Sequence, residues 1–281
     1  SGTGLNCAIM GIQYSSTTAP ATISNNTIHT LKLTNAATVA ATQVEGIYYA
    51  GPTTGTANII ERNFIHSLSI GSTTNSIAVL TGIELLSGIV TTSNNMIRLG
   101  IDDNGTDITA PCIIRGISES GATSSIFHNT VYLGGNVIGT VASNTFAYQR
   151  TATTNADDVR NNIFVNNRSN STTGGKHYQV FLTTSNLNLT LDYNNYYGNG
   201  AGSVFGNIGA SDLIAFYPTW VSTDINSIVG DPNFIDPIGS AVTVDLHITN
   251  GIPTPIEQTG APISSVINDF DGQVRASFSP N

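Results

Sequence analysis

An asparagine returns along this chain at a nearly fixed interval. The segments ISNNTI, IERNFI, TSNNMI, IFHNTV, VRNNIF and DYNNYY align on Asn26, Asn63, Asn95, Asn129, Asn162 and Asn195, with steps of 37, 32, 34, 33 and 33 residues. A second column marches with it: Gly11-Ile12, Gly46-Ile47, Gly82-Ile83 and Gly116-Ile117, at steps of 35, 36 and 34. After Gly116 the glycine fades, and Thr145-Phe146 and Tyr178 hold the expected places without it. A period of this length means stacked repeats, each burying its apolar face only against its neighbours.

Helical repeats share the period, so composition must decide. Only 10% of the residues are charged, and Lys and Arg together number 9. Surface helices need Glu, Lys, Arg, Ala and Leu; short β-branched runs broken by Asn and Gly fit strands instead. Each period is therefore one coil of a parallel β-helix, in an all-β chain of about eight coils of roughly 33 residues, a rod on the order of 40 Å long. Three residues before the asparagine stand Ile23, Ile60, Thr92, Ile126, Val159 and Asp192; two after it stand Ile28, Ile65, Ile97, Val131, Phe164 and Tyr197. A straight strand would send the two sets to opposite faces. A bend at the asparagine lets both point inward. The asparagine is expected in the left-handed backbone region that it tolerates, its amide stacked on those of adjacent coils as in a cross-β ladder. Asp192 breaks the pattern and suggests a change of character there. We expect one domain over 1–281, with regular coils over 1–198 and looser coils and a closing segment over 199–281.

The net charge of −9 argues against nucleic acid and anionic membrane surfaces. No apolar run is long enough for a membrane span, so direct membrane insertion is not expected. Cys7 and Cys112 fall about three periods apart, roughly 14 Å along the axis, too far for a disulfide. The chain enters at GLNCAIMGIQY, already in the glycine column, and no capping helix is legible. Because a bare last coil exposes core and strand edge, we expect either a piece of a larger protein or a unit that joins end to end.

From Asp192 onward the words change: DYNNYYG, Trp220, DINSIVGDPNF, DLHI, GAP and DFDGQVR. Their order resembles secreted bacterial proteins with right-handed parallel β-helix repeats, of the pectate-lyase-like superfamily. The resemblance covers Asp192 to Arg275, and Asn26 to Asn167 by repeat style only. It implies a right-handed solenoid and an extracellular or cell-surface location, while that fold carries lyases, hydrolases, adhesins and silent scaffolds alike.

A polysaccharide lyase on this fold needs an Arg or Lys base facing an acidic sugar. The local concentration of positive charge is Arg150, Arg160, Arg168, Lys176 and His177, with Arg150, Arg160, Lys176 and His177 as candidate catalytic groups. A pectinase-type hydrolase needs paired acids on adjacent strands; Asp157-Asp158 are side by side on one strand and face opposite ways. Asp102, Asn104 and Asp107 surround a glycine turn and offer oxygen ligands for calcium, the sole cofactor candidate; otherwise none is implied. His29, His66 and Arg98 share one column, three past the asparagine, with imidazoles about 5 Å apart in adjacent coils, read as an exposed polar column. Tyr193, Tyr196, Tyr197 and Trp220 lie in an aromatic-rich region that can hold sugar faces or fill the core. The function expected from all this is a non-catalytic extracellular module for adhesion, spacing or glycan contact, its partners a glycan or other surface ligand and the neighbouring domains of its own polypeptide. The alternatives are a polysaccharide lyase or glycoside hydrolase, and a self-assembling filament unit.

Overall fold

The computed structural model describes residues 7–34, 42–71, 77–151, 154–172 and 174–275. Among them there is no helix. The chain is an all-β parallel solenoid of about six turns with roughly 33-residue spacing.

Each turn lays down strands on successive walls. The first wall stacks Cys7–Ser15, Thr42–Ala50, the early part of Val79–Ser93, Ile113–Glu119, Thr145–Arg150, His177–Leu182 and Ser203–Ile208. The second stacks Thr22–Ser24, Asn58–Glu61, the later part of Val79–Ser93, Ala122–Phe127, Asp157–Arg160 and Leu189–Asp192. The third stacks Thr27–His29, Phe64–His66, Met96–Leu99, Thr130–Leu133, Ile163–Asn166, Asn195–Tyr197 and Ile228–Val229. All these pairings are parallel. Their registers place like over like: Ile12, Ile47, Ile83 and Ile117 on the first wall, Ile28, Ile65, Ile97 and Val131 on the third.

Inside a coil, Ile47, Ile60 and Ile65 are fully buried. Three such side chains contribute roughly 5–9 kcal/mol of gross burial per coil, before chain entropy. The glycine column is steric. A Cβ on Gly82 would lie 2.6 Å from Ile97 Cγ2 and 2.6 Å from the Gly116 carbonyl oxygen of the next coil. The same wall reaches Ala147 in the following turn, so the glycine requirement relaxes there.

At the corner between second and third walls each asparagine completes the hydrogen bonding that the bend interrupts. Asn95 Oδ1 accepts from the Asn63 backbone N–H at 3.0 Å and from Asn63 Nδ2 at 2.9 Å, while Asn95 Nδ2 donates to Asn129 Oδ1 at 2.9 Å and to the Ile60 carbonyl at 2.9 Å. The ladder runs through Asn26, Asn63, Asn95, Asn129 and Asn162. Its sixth rung is Asn194, not Asn195: Asn162 Nδ2 donates to Asn194 Oδ1 at 3.0 Å, a step of 32. Asn195 instead pairs with Ile163 in the third wall. This one-residue correction removes the break attributed to Asp192, because Leu191 and Tyr196 now occupy the inward columns and both are buried. A second correction concerns the bend. The left-handed residue is the one before the rung, with φ of 57° at Asn25, 54° at Arg62, 53° at Asn94, 54° at His128, 59° at Asn161 and 55° at Tyr193. The rung must turn inward to reach the next coil, so the preceding residue makes the turn and projects outward.

The turn count falls below eight because the chain leaves the spiral. After Ser203–Ile208 it reverses into the antiparallel strand Ser211–Leu213, and Phe216 and Trp220 close over Phe205 and Tyr196. The end of the core is thus covered by an aromatic hairpin rather than a helix. Residues 231–275 form no further coil. They run back along the outside as a strap, with Leu246, Phe234 and Phe270 packing on Met96, Ile101, Tyr132 and Val165 of the third wall.

The polar column on that wall is partly covered too. His29 and His66 stack with centroids 5.1 Å apart. Arg98 is fully buried, donating to the carbonyls of Ile101 and, on the strap, Gly239, both at 2.7 Å. The column is thus exposed at His29 and buried at His66 and Arg98, where the strap covers it. Cys112 is buried and free; the side chain of Cys7 lies outside the described residues.

Candidate functional site

The outward-pointing corner residues are where the strap docks. Arg62 Nε donates to the Phe270 carbonyl at 2.9 Å, Asn94 Nδ2 to the Asn268 carbonyl at 2.9 Å, and Asn161 Nδ2 to the Ala261 carbonyl at 2.7 Å while its Oδ1 accepts from the Ala261 N–H at 2.8 Å. The strap so descends from the coil of Asn161 to that of Arg62. Between them stands His128, which makes no hydrogen bond to the strap among the described residues. At this rung a cleft of about 550 Å³ opens between corner and strap.

Cleft chemistry follows from its lining. His128 is 9% exposed, and burial, then the positive charge of Arg275, pushes its imidazole down to about 3, so it is neutral at physiological pH. The Ala261 bonds fix the Asn161 amide, whose nitrogen also lies 3.2 Å from His128 Nε2. Nε2 must accept, which leaves the proton on Nδ1. Thr254 is 8% exposed, and its hydroxyl has no partner among the described residues. Across the cleft His247 lies between carboxylates, with Nδ1 2.6 Å from Asp245 Oδ1 and Nε2 3.2 Å from Asp271 Oδ2. Glu257 and Asp269 add further acceptors, and Met96, Ile163 and Phe270 the apolar surface.

A second polar group lies on the outer face of the first wall. Glu45, Thr81 and Arg115 are in register on adjacent strands. Burial, then the nearby charge of Glu84, raises Glu45 to about 7, against the opposing pull of Arg115. Glu84 accepts from Ser120 Oγ at 2.5 Å. Each member of this column immediately precedes a column glycine (Gly46, Gly82, Gly116), a signal already present in the sequence.

The structure does not gather the sequence candidates into one groove. Arg150 lies inside the coil, with Nε 2.7 Å from Asp157 and 3.8 Å from Glu119. One cation cannot serve both acids, so burial and then Asp157 raise Glu119 to about 8. Arg160 pairs with its neighbour Asp158 at 2.5 Å and lies over the Phe127 ring. Lys176 pairs with Asp212. His177 is buried between Thr145 and Asn170 at 2.9 and 3.0 Å, and burial, then Arg168, lowers it to about 4. Arg168 is itself buried, donating to the carbonyls of Gly100, Gly134 and Ile108.

Of the aromatic candidates, Tyr196 stacks on Phe164 in the core, and both its hydroxyl and the Trp220 indole N–H donate to buried Asp224. These two are core groups, not a sugar platform. Tyr193 and Tyr197 remain half-buried at the surface. At the calcium candidate, Asp102 Oδ1 accepts from the backbone N–H groups of Asn104 and Thr106, both at 2.9 Å, and the loop is tied to the strap through Ala241. Among the described residues no group of three or more His, Cys, Asp or Glu side chains is placed to hold a metal ion.

Fold and corner together define the class: a parallel β-solenoid with an asparagine ladder, closed along its third wall by a C-terminal strap. No protein-family model, no curated protein and no solved structure matches the chain.

Proposed function

We propose that this chain is a non-catalytic module of a larger secreted or cell-surface protein of the bacterial pectate-lyase-like kind, serving as a rigid spacer or adhesive element with glycan contact. The observation that carries this reading is the fate of the cations. Arg150, Arg160 and Lys176 are each bound to a carboxylate, and His177 is buried and neutral, so none offers an unoccupied base to a uronide. The aromatic hairpin over the last coil argues against end-to-end stacking through that end. The test is a panel of bacterial, plant and animal polysaccharides followed for bound protein and, separately, for unsaturated or reducing-end products. Binding without product is expected; accumulation of product that depends on enzyme concentration overturns the proposal. One feature favours an enzymatic second reading, namely Glu45 held near neutrality beside Glu84 and Arg115. In that case Glu45→Gln abolishes the product and Lys176→Ala leaves it unchanged.

A further inference from the structure

We propose that the cleft between His128 and the C-terminal strap is a binding site for a neutral sugar unit, held through adjacent hydroxyl groups. This rests on the glycan-contact reading and assigns it a place. The strap bonds to the corner residues Arg62, Asn94 and Asn161 and parts from the corner at His128, where the cavity of about 550 Å³ lies. That volume is in the range of small-molecule sites and takes one or two sugar rings.

Two buried polar groups line it with hydrogen-bonding capacity unused by the protein: His128, whose Nε2 is engaged by Asn161, and the Thr254 hydroxyl. His128 Nδ1–H offers a donor to the cleft, while the Glu257 and Asp269 carboxylates, which already accept from the Thr254 and Gln273 backbone N–H groups, can accept further bonds. A sugar hydroxyl serves both. An ammonium group cannot accept from His128 Nδ1–H, so an amino sugar must meet it through a hydroxyl as a neutral sugar does; a uronate brings negative charge toward these carboxylates, against which stands Arg275, bonded to Asn94 Oδ1 and the Asn268 carbonyl. The Phe270 ring and Met96 supply the apolar surface that a pyranose face covers.

The full chain is titrated with methyl glucoside, methyl galactoside, methyl mannoside, N-acetylglucosamine and their oligomers, with galacturonate and glucosamine as charged comparisons. Imidazole ¹⁵N resonances of His128 report the site. At least one neutral sugar is expected to shift them, with galacturonate binding at least about tenfold more weakly and glucosamine no more tightly. Thr254→Val keeps the shape and removes the hydroxyl; His128→Asn keeps a residue suited to the left-handed corner. Each is expected to weaken binding about tenfold, the worth of one hydrogen bond. If a sugar binds but neither variant nor the His128 resonances respond, the site assignment falls and glycan contact stands. If no sugar binds anywhere, both fall. Tighter binding of galacturonate or glucosamine overturns the neutral-sugar assignment.

Discussion

Asn129 sits in the middle of the ladder, and its replacement by alanine measures what the ladder contributes. Its side chain is fully buried. Oδ1 accepts from the Asn95 backbone N–H at 3.0 Å and from Asn95 Nδ2 at 2.9 Å. Nδ2 donates to Asn162 Oδ1 at 3.0 Å and to the carbonyls of Thr92 and Phe127 at 2.9 and 3.1 Å. Alanine orphans the Asn95 backbone N–H, whereas the Asn95 carboxamide keeps its bonds to Ile60 and Ser93. A buried unpaired donor costs about 1–3 kcal/mol, and each further lost bond about 0.5–1.5 kcal/mol net. The expected loss is on the order of 3–5 kcal/mol. Asn26→Ala, at a half-buried first rung, should lose only about 1 kcal/mol. Asn129→Asp keeps the acceptor but turns a carboxylate toward Asn162 Oδ1 and two carbonyls, so at neutral pH it should destabilise at least as much as alanine. Urea denaturation followed by circular dichroism reads all three. If Asn129→Ala unfolds within about 1 kcal/mol of the parent, or no more easily than Asn26→Ala, the ladder is not what holds the corner.

Further outcomes follow from the same structure. Glu45 and Glu119, raised from 4.5 to about 7 and 8, keep protons in the folded state that the unfolded chain gives up near 4.5, so their contribution to stability falls as pH rises from about 4.5 to 8. His66, His128 and His177, held neutral down to about 4, 3 and 4, work oppositely below about 6.5, where the unfolded chain gains their protons first. Above about pH 6.5 the histidine effect is exhausted and the two glutamates act alone, so the melting temperature should fall between about pH 6.5 and 8, and a steady rise over that range would contradict the assignment. Arg150→Met leaves Asp157 and Glu119 without their buried cation and should cost about 3–5 kcal/mol, against well under 1 kcal/mol for Lys176→Met at its exposed pair; equal losses in thermal melts would refute the interior placement. Gly82→Ala drives a Cβ to 2.6 Å from Ile97 and from the Gly116 carbonyl, and should lower stability by about 1–3 kcal/mol; an unchanged melting temperature would show that adjacent coils are farther apart.

What the sequence alone determined was the periodic part. Stacked coils place like residues over like, so Asn63, Asn95 and Asn129 at matching steps already specify parallel register and a shared ladder. The β-branched inward columns around them specify strands. Periodicity is silent wherever two answers repeat equally well. In DYNNYY either asparagine could be the rung, and only the inward packing of Leu191 and Tyr196 selects Asn194. Likewise the pattern marks a bend without saying which residue takes the left-handed turn; the need of the rung to reach the next coil gives it to the preceding residue. The strap and its cleft belong wholly to tertiary structure. Contacts such as Arg62 with Phe270, 208 residues apart, follow no period. The partners of Arg150, Lys176 and Trp220 depended on which way each side chain faces: facing inward turned Arg150 and Trp220 into internal framework, whereas Lys176 faces outward and meets Asp212 at the surface.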